Sequence, residues 1–396
     1  MGEGQQRYVD VAERRARLAL RHRLAGAARA AAPEEVADSL VALHGSDPAT
    51  VYLAVGARLA DSTRTVAETE RALYEDRSLV RMHGMRHTVF VFPTDLTAVV
   101  HASTGLVVAA RERAALLKDM AKAGAPDAAW LKEVEESALA ALARRGQATA
   151  TELARDEPRL REQFVYAAGK PYEGIHTVST RLLKVLGVEG KVVRGRPLGS
   201  WTSTQFRWAV APEHPELDVA RAQAELLRRW LAVCGPATEG DLKWWTGWKV
   251  TDVRRALTAV GAQAVRLDEG TGYVVEGDVD PVAGPSEPWA ALLPSLDPTA
   301  MGWQERDWYL PREWRPLLFD RSGNVGATVW LDGRVVGVWA QRADGEVVWR
   351  LLEPGGVGRE GEALIAAEAA RVRGWVGATR VTPRFRTLVE KELSAG

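Results

Sequence analysis

The chain has 396 residues, a length that predicts two to four domains rather than one core. Its 52 basic and 52 acidic side chains cancel, so net charge neither indicates nor excludes a nucleic-acid partner. No apolar run reaches the ~20 residues of a membrane-spanning helix, and the first residues lack a signal peptide's apolar core. The single cysteine, Cys234, excludes an internal disulfide and is predicted to be a buried thiol. These features predict a cytoplasmic, nucleoid-associated protein.

Residues 1–125 are predicted to form the first of three similar modules. RARLALRHRLAG and APEEVADSLVALHG have apolar residues at helical spacing, and Pro33 with the acids after it suits a helix N-terminus. TVAETERALYED follows as a further amphipathic helix. SLVRMHGMRHTVFVFP then has the β-branched and aromatic composition of a hairpin around His83-Gly84. Three helices followed by a hairpin are the elements of a winged helix.

The same order of elements recurs in residues 126–214 and 215–280, which predicts two more modules. In both, an ATxxxL phrase follows a helix that ends in glycine, and Thr149 and Thr238 stand where a threonine caps the next helix. A hairpin closes each repeat: VEGKVVRGRPLGSWTSTQFRWAV in the second module and AQAVRLDEGTGYVVEGD in the third. A chain of mixed composition produces some helix and hairpin pairs by chance, but the repeated phrase favours tandem modules.

Residues 286–396 are predicted to form a separate domain after the linker GDVDPVAGPSEP. NVGATVWLDGRVVGVWAQRADGEVVWRLLEP alternates apolar and polar residues around turns at Asp332-Gly333 and Asp344-Gly345, and GREGEALIAAEAARVRGWVG is a helix that covers the strands. The predicted fold class is therefore α+β, with three tandem winged-helix (helix-turn-helix) modules followed by a C-terminal antiparallel β-barrel-like domain.

Basic residues are concentrated in the second module. Residues 181–210 carry six basic side chains and one acid, whereas residues 261–396 carry 15 basic and 20 acidic side chains. Counterion release depends on the phosphates that a protein contacts and not on its total charge, so a neutral chain can still present a nucleic-acid face. This distribution predicts double-stranded DNA as the partner.

Four segments together resemble the winged-helix DNA-binding family that contains the AlkZ and YcaQ DNA glycosylases. They are ALHGSDPATVYLAVGAR, RMHGMRHTVFVFP, GDLKWWTGWK and LLPSLDPTAMGWQERDWYL. The resemblance covers nearly the whole chain. It implies three winged helices and a C-terminal β-barrel, and a monofunctional DNA glycosylase that removes alkylated purines, bulky genotoxin adducts or crosslinks, in base excision repair or self-resistance, without cofactor or metal.

The family's catalytic motif is Gln-x-Gln or Gln-x-Asp just before an Asp-Pro-like turn. The matching positions here are His44 and Ser46, with Gly45 between them and Asp47-Pro48 following, so neither glutamine is present. A purine alkylated at N7 is already cationic and leaves without protonation, so polar side chains that hold a water can suffice. We predict that His44 orients this water or accepts its proton, Ser46 shares its hydrogen bonds and Asp47 offsets positive charge on the sugar.

Both motif and wing residues also have structural interpretations. An Asp-Pro after glycine is often a helix cap, and a lone histidine at a helix end is often structural. The first hairpin has no acid between Arg77 and Pro93, and glycine between two arginines favours an exposed second hairpin tip. The predicted DNA contacts are Arg81, His83, Arg86, His87, Arg194, Arg196, Trp201 and Arg207.

The tryptophan-rich segments are predicted to pack rather than to bind. Trp244, Trp245 and Trp248 have the spacing of a core between modules, although stacking on an extruded base is an alternative. Asp297 is predicted to fix the loop before the C-terminal strands. A last group is expected to help close the DNA groove: Trp303, Arg306, Trp308 and Tyr309.

These patterns suggest three functions. A DNA glycosylase that acts as a monomeric clamp on one lesion fits three unequal modules in one chain. A non-catalytic regulator or damage-recognition protein is the alternative, because the glutamines are missing, although common regulators are dimers that read half-sites ~34 Å apart. An interaction scaffold leaves the acid-free hairpin and the basic stretch unexplained.

Overall fold

A computed structural model describes residues 6–124, 126–167, 169–171 and 173–395. Residues 6–124, the first segment, are mainly helical and contain a small sheet. Its elements are α1 Val11–Arg21, α2 Pro33–Leu40, β1 Leu43–His44, α3 Pro48–Gly56, α4 Thr65–Glu70, β2 Leu79–His83, β3 Val89–Pro93, α5 Thr97–Val100 and α6 Leu106–Lys122. The predicted helices and the hairpin at His83-Gly84 are confirmed, whereas β1 and α6 were not anticipated.

The second and third segments are residues 126–214 and 215–280. Each contains a short strand, two helices and a hairpin in that order. The second contains α7 Ala128–Arg145, β4 Gln147–Ala148, α8 Ala150–Asp156, β5 Gln163–Tyr166, β6 Gly174–Thr177, α9 Val178–Val188, β7 Val192–Pro197 and β8 Phe206–Val210. The third contains α10 Val219–Cys234, β9 Ala237–Thr238, α11 Glu239–Thr246, α12 Val250–Ala259, β10 Gln263–Leu267 and β11 Gly270–Val274. The β5–β6 hairpin is an insertion that the sequence patterns did not reveal.

Three sheets share one strand order. In each, a two-residue strand pairs antiparallel with the second strand of the following hairpin, giving the orders β1-β3-β2, β4-β8-β7 and β9-β11-β10. The short strand precedes a helix in every case, so each sheet fixes where that helix begins. In the first sheet this pairing sets His44 opposite Phe90.

Two threonines cap the helices that follow these short strands, as predicted. The Thr149 hydroxyl accepts a hydrogen bond from the Glu152 amide at 3.1 Å, and the Glu152 carboxylate accepts one from the Thr149 amide at 2.7 Å. Thr238 and Asp241 make the same reciprocal pair at 3.1 and 3.0 Å. Each pair satisfies two otherwise unbonded donors at a helix N-terminus.

The C-terminal segment is an open antiparallel sheet, which corrects the barrel expectation. Its elements are β12 Ala290–Leu293, α13 Arg315–Leu318, β13 Thr328–Leu331, β14 Arg334–Gln341, β15 Val347–Leu351, α14 Gly358–Val376 and α15 Leu388–Ala395. The strand order is β12-β13-β14-β15, and the described residues contain no closed barrel. Helix α14 packs on β12 and β15, so helical cover rather than strand closure buries this sheet. The predicted turn at Asp332-Gly333 and the covering helix are confirmed.

One aromatic core joins the first, third and C-terminal segments. Trp230 packs against Trp245 and Trp303 with ring centroids 5.7 and 6.3 Å apart. Cys234 is buried beside this core, as predicted for a structural thiol. The second segment has its own apolar cluster around Leu153, Leu182 and Leu186. None of the helices in the described ranges is long and apolar enough to cross a membrane.

A buried ion pair ties the first segment to the C-terminal segment. The Arg58 guanidinium, just after α3, donates two hydrogen bonds to the Asp297 carboxylate at 2.7 and 2.9 Å, and both side chains are fully buried. Arg58 also donates to the carbonyl of Ala54. The Asp297 carboxylate additionally accepts the Thr299 amide at 2.9 Å. Asp297 therefore fixes its loop, as predicted.

Candidate functional site

The loop between β1 and α3 contains the predicted catalytic residues. Gly45 donates its amide to the Val89 carbonyl at 2.8 Å, which continues the sheet beyond β1. A Cβ on Gly45 would lie 3.2 Å from the carbonyl carbon of Phe90, so glycine lets the loop approach β3 closely. His44 and Ser46 are half-buried on either side of this glycine, and Asp47 is buried.

Asp47 forms the N-cap of α3, the structural interpretation that the sequence left open. One carboxylate oxygen accepts the Ala49 amide at 3.2 Å. The other accepts the backbone amide of Arg384 at 2.9 Å, from the segment between α14 and α15. Asp47 therefore holds the end of the loop against the distant C-terminal segment.

The His44 side chain is a neutral imidazole near pH 7. Burial lowers the pKa of His44 to about 4, and the positive charge of Arg86 contributes in the same direction. The ring meets Phe90 edge-on with centroids 5.3 Å apart, and its Nδ1 lies 3.5 Å from the Ser46 amide nitrogen. A neutral imidazole has one hydrogen-bond donor and one acceptor.

The first hairpin divides its predicted DNA contacts between the interior and the surface. Arg81 and His83 lie on the same face of β2 and are buried, with exposed fractions of 5% and 7%. Burial lowers the pKa of His83 to about 4, and the positive charges of Arg194 and Lys184 contribute in the same direction. His83 is therefore buried in the hairpin, and its contact with DNA stays a prediction. Arg86 and His87 are exposed at the turn.

Both exposed residues of the first hairpin have partners. The Arg86 guanidinium lies over the Trp244 ring, 4.3 Å from its centroid. His87 Nδ1 lies 3.1 Å from the Glu112 carboxylate on α6. The first hairpin contains no acid in its own sequence, but the fold brings the Glu112 carboxylate against it.

The second hairpin has its tip farther along the chain than predicted. Arg194 pairs with Trp208 within the β7–β8 ladder, and the connecting loop begins only after Pro197. Arg194 is half-buried and its guanidinium lies 4.5 Å from the Phe206 ring centroid. Arg196 bonds to Glu70 and Glu75, at 2.8 and 3.1 Å.

The two remaining predicted contacts of this hairpin also face protein groups. Arg207 is paired with Glu152 at 3.0 Å. Trp201 is only 6% exposed and packs between Tyr52 and Trp375, with centroids 5.1 and 5.9 Å away. Most of its indole is covered by these rings, so Trp201 has a packing role, and its contact with DNA stays a prediction.

The aromatic residues of the third and C-terminal segments mostly pack in the core. Trp245 and Trp248 are buried, as predicted, whereas Trp244 is half-buried and also meets the Arg306 guanidinium at 5.1 Å. The group expected to help close the DNA groove is buried among aromatic rings; it comprises Trp303, Arg306, Trp308 and Tyr309.

Three residues near the β1–α3 loop were not predicted from the sequence. Arg384 reaches Asp47 from 337 positions away along the chain. Tyr52, on α3, packs on Trp201. Glu390 shares a pocket with Asp47, and that pocket has a volume of about 30 Å³, room for about one water molecule and too small for a purine. No local motif marks these residues.

Glu390 is a buried acid whose ionisation is expected to weaken the fold. Burial raises the pKa of Glu390 to about 7 from its ordinary 4.5, although the Thr387 amide and the Ser295 hydroxyl donate to its carboxylate. A raised folded-state pKa contributes stability at low pH that is lost as the pH rises through that pKa.

Between pH ~5 and pH ~8, we expect this carboxyl to cost the wild type about 2–3 kcal/mol of unfolding free energy. Glu390→Gln keeps an acceptor for Thr387 and cannot ionise, so its stability should lose this component of the pH dependence. Urea unfolding of both proteins across this range measures the difference. Parallel pH profiles for the two proteins would contradict the assignment.

Comparisons with known proteins agree with this architecture. A model of the family described as DNA glycosylase AlkZ-like matches residues 37–375. The solved structure of the Streptomyces sahachiroi DNA glycosylase AlkZ is similar to this chain, with a TM-score of 0.70 and 20% sequence identity. The similarity covers 95% of this chain and 99% of that one. The curated protein sequences contain no match to the chain.

Proposed function

The chain belongs to the AlkZ-like DNA glycosylase family, and from that membership we propose that it binds duplex DNA and hydrolyses the N-glycosidic bond of N7-alkylated purines. The observation that carries the proposal is the neutral imidazole of His44 in the β1–α3 loop, at the position that matches the family's first catalytic glutamine. Bulky genotoxin adducts and crosslinks at N7 belong to the same proposed substrate class.

Neutral histidine and glutamine offer the same pair of functions. The glutamine amide has an oxygen acceptor and N–H donors, and a neutral imidazole has one nitrogen acceptor and one N–H donor. A serine hydroxyl likewise donates and accepts. His44 and Ser46 thus retain the hydrogen-bonding capacity of a motif that must position a water, although both glutamines are absent.

The proposed reaction needs little acid catalysis. An N7-alkylated purine carries a positive charge, so breaking its bond to the sugar releases a neutral base and leaves positive charge on the sugar ring. His44 and Ser46 orient the attacking water, and His44 accepts its proton. The Asp47 carboxylate, next along the loop, offsets the developing positive charge while it also caps α3.

The three sheets with one strand order are proposed to be the wings of three winged helices, in residues 1–125, 126–214 and 215–280. Such modules in one chain suit a monomeric clamp around a single lesion. Of the predicted DNA contacts, Arg86 and His87 are exposed at a turn near His44 and would meet the duplex on that side.

Lesion charge provides the test of this chemistry. Single-turnover base release is measured on matched duplexes that contain N7-methylguanine or the neutral lesion 8-oxoguanine, with spontaneous release subtracted. We expect release of N7-methylguanine and none of 8-oxoguanine. Equal release of both would contradict the mechanism, and tight binding without release from any N7 lesion would favour the non-catalytic binder that the missing glutamines suggest.

The pH dependence of base release should report the His44 imidazole. Its depressed pKa keeps the acceptor nitrogen free above about pH 4, and protonation below that value removes it. The single-turnover rate constant should therefore be flat from about pH 8 to about pH 5 and fall below. Ser46→Ala should keep this profile at a lower rate, and a limb near the ordinary histidine pKa of 6.5 would be inconsistent with a buried neutral His44.

A further inference from the structure

Three arginines from distant parts of the chain lie together without a carboxylate partner. Arg81 is on β2, Arg194 is on β7 and Arg384 is in the segment between α14 and α15. Within the ranges that the structure describes, none of the three makes an ion pair, whereas Arg196, close to Arg194 on the same hairpin, makes two. The missing partners distinguish this group from the ordinary ion-paired arginines of the surface.

Two of these guanidinium groups have buried nitrogen atoms whose donors are unused. Arg81 is 95% buried, with an exposed fraction of 5%, and its Nε and Nη2 atoms have no hydrogen-bond partner. Arg194 Nε is buried and also lacks one. Burying a cation without a counter-ion opposes folding, and native structures rarely leave such groups unsatisfied without a ligand or function.

Strands β2 and β7 are in contact, which brings Arg81 and Arg194 close to each other. Burial lowers the pKa of Arg194 to about 10, and the charges of Arg81 and Arg384 add to this lowering. Glu70 pairs with Arg196, and Asp47 accepts backbone amides, so neither carboxylate pairs with the three arginines. The group therefore has a concentrated positive charge that the protein itself does not neutralise.

The group also lies beside the proposed catalytic loop, because the backbone amide of Arg384 bonds to Asp47. We infer that Arg81, Arg194 and Arg384 form one binding site for a backbone phosphate of DNA, next to the nucleotide that the His44–Asp47 loop would act on. The position of this site relative to the target nucleotide depends on the proposed function of the His44–Asp47 loop. Guanidinium groups suit phosphate because their N–H donors match its oxygens in pairs.

The first experiment measures DNA affinity and thermal stability of Arg81→Met and Arg194→Met. By fluorescence anisotropy with duplex DNA that carries a stable abasic-site analogue, each variant should bind about tenfold or more weakly. The slope of log affinity against log salt should fall by about 0.9 for each lost phosphate contact. Without DNA, Arg81→Met should keep or raise the melting temperature, because it removes an unpaired buried charge.

Arg371→Met is the matched control. Arg371 is a mostly buried arginine that has partners, the Glu368 carboxylate at 2.7 Å and the carbonyls of Gly56 and Ala57. This variant should lower the melting temperature and leave DNA affinity unchanged. Wild-type affinity in Arg81→Met and Arg194→Met would overturn the inference, and so would a melting-temperature loss with an unchanged salt slope, which would indicate a structural role.

Neutral methylphosphonate linkages identify the ligand without relying on any one variant. Replacing one phosphate beside the abasic analogue should weaken binding by the wild type and have no further effect on Arg194→Met. If every single replacement leaves wild-type affinity unchanged while inorganic phosphate raises the melting temperature, the site takes a small anion and the DNA assignment is wrong. These assays require no catalysis, so base release can fail while the phosphate site is verified, and the reverse.

Discussion

His44→Ala should lower the single-turnover rate of N7-methylguanine release by at least about a hundredfold, the usual effect of removing a group that transfers a proton or positions a reacting water. DNA affinity should change little, because the half-buried imidazole meets Phe90 and the Ser46 amide rather than the exposed surface of the hairpin. Base release under enzyme excess, with anisotropy for binding, measures both quantities.

His44→Gln is the informative control for this result. Glutamine restores the donor and acceptor pair at the same position, so the rate should stay within about tenfold of the wild type. Unlike the wild type, this variant should show no protonation limb near pH 4. An equal loss of rate in His44→Ala and His44→Gln would mean that the side chain's hydrogen-bonding pair is not what the reaction requires.

Asp297→Asn should destabilise the protein by about 3–5 kcal/mol, because it leaves the fully buried Arg58 guanidinium without its counter-charge. The change is nearly isosteric, so the loss reports charge rather than packing. Urea unfolding measures it, and Glu239→Gln, which removes the partner of the exposed Arg254, should cost less than about 1 kcal/mol. A small effect at Asp297 would show that water or a rearranged partner compensates Arg58.

The local features of the fold were predictable because their causes are local. Thr149 and Thr238 cap helices through groups three residues away, and the Asp332-Gly333 turn joins adjacent strands with both residues at positive φ, as a tight hairpin turn requires. The loop with His44 and Asp47 could likewise be found from its motif. Such features depend on neighbours along the chain, where sequence patterns are visible.

The long-range partners were not predictable, because residues that are distant along the chain leave no local pattern. The acid-free first hairpin meets Glu112 from α6, and Arg196 meets Glu70 and Glu75 from the preceding segment. Glycine beside Arg194 indicated an exposed tip, yet the ladder continues past it and the guanidinium lies against the Phe206 ring. The barrel prediction was wrong. Alternation of apolar and polar residues indicates that one sheet face is buried, but it does not indicate whether the two edge strands pair with each other.

The proposed reaction of this chain is cleavage of the bond between an N7-alkylated purine and its sugar. The most direct measurement is mass-spectrometric detection of free base after wild-type protein, in excess, is mixed with duplexes that carry N7-methylguanine or a bulky N7 adduct. We predict free alkylated base and an intact abasic strand in equal amounts from at least one duplex. Stable protein–DNA complexes in which every lesion remains attached would contradict the claim.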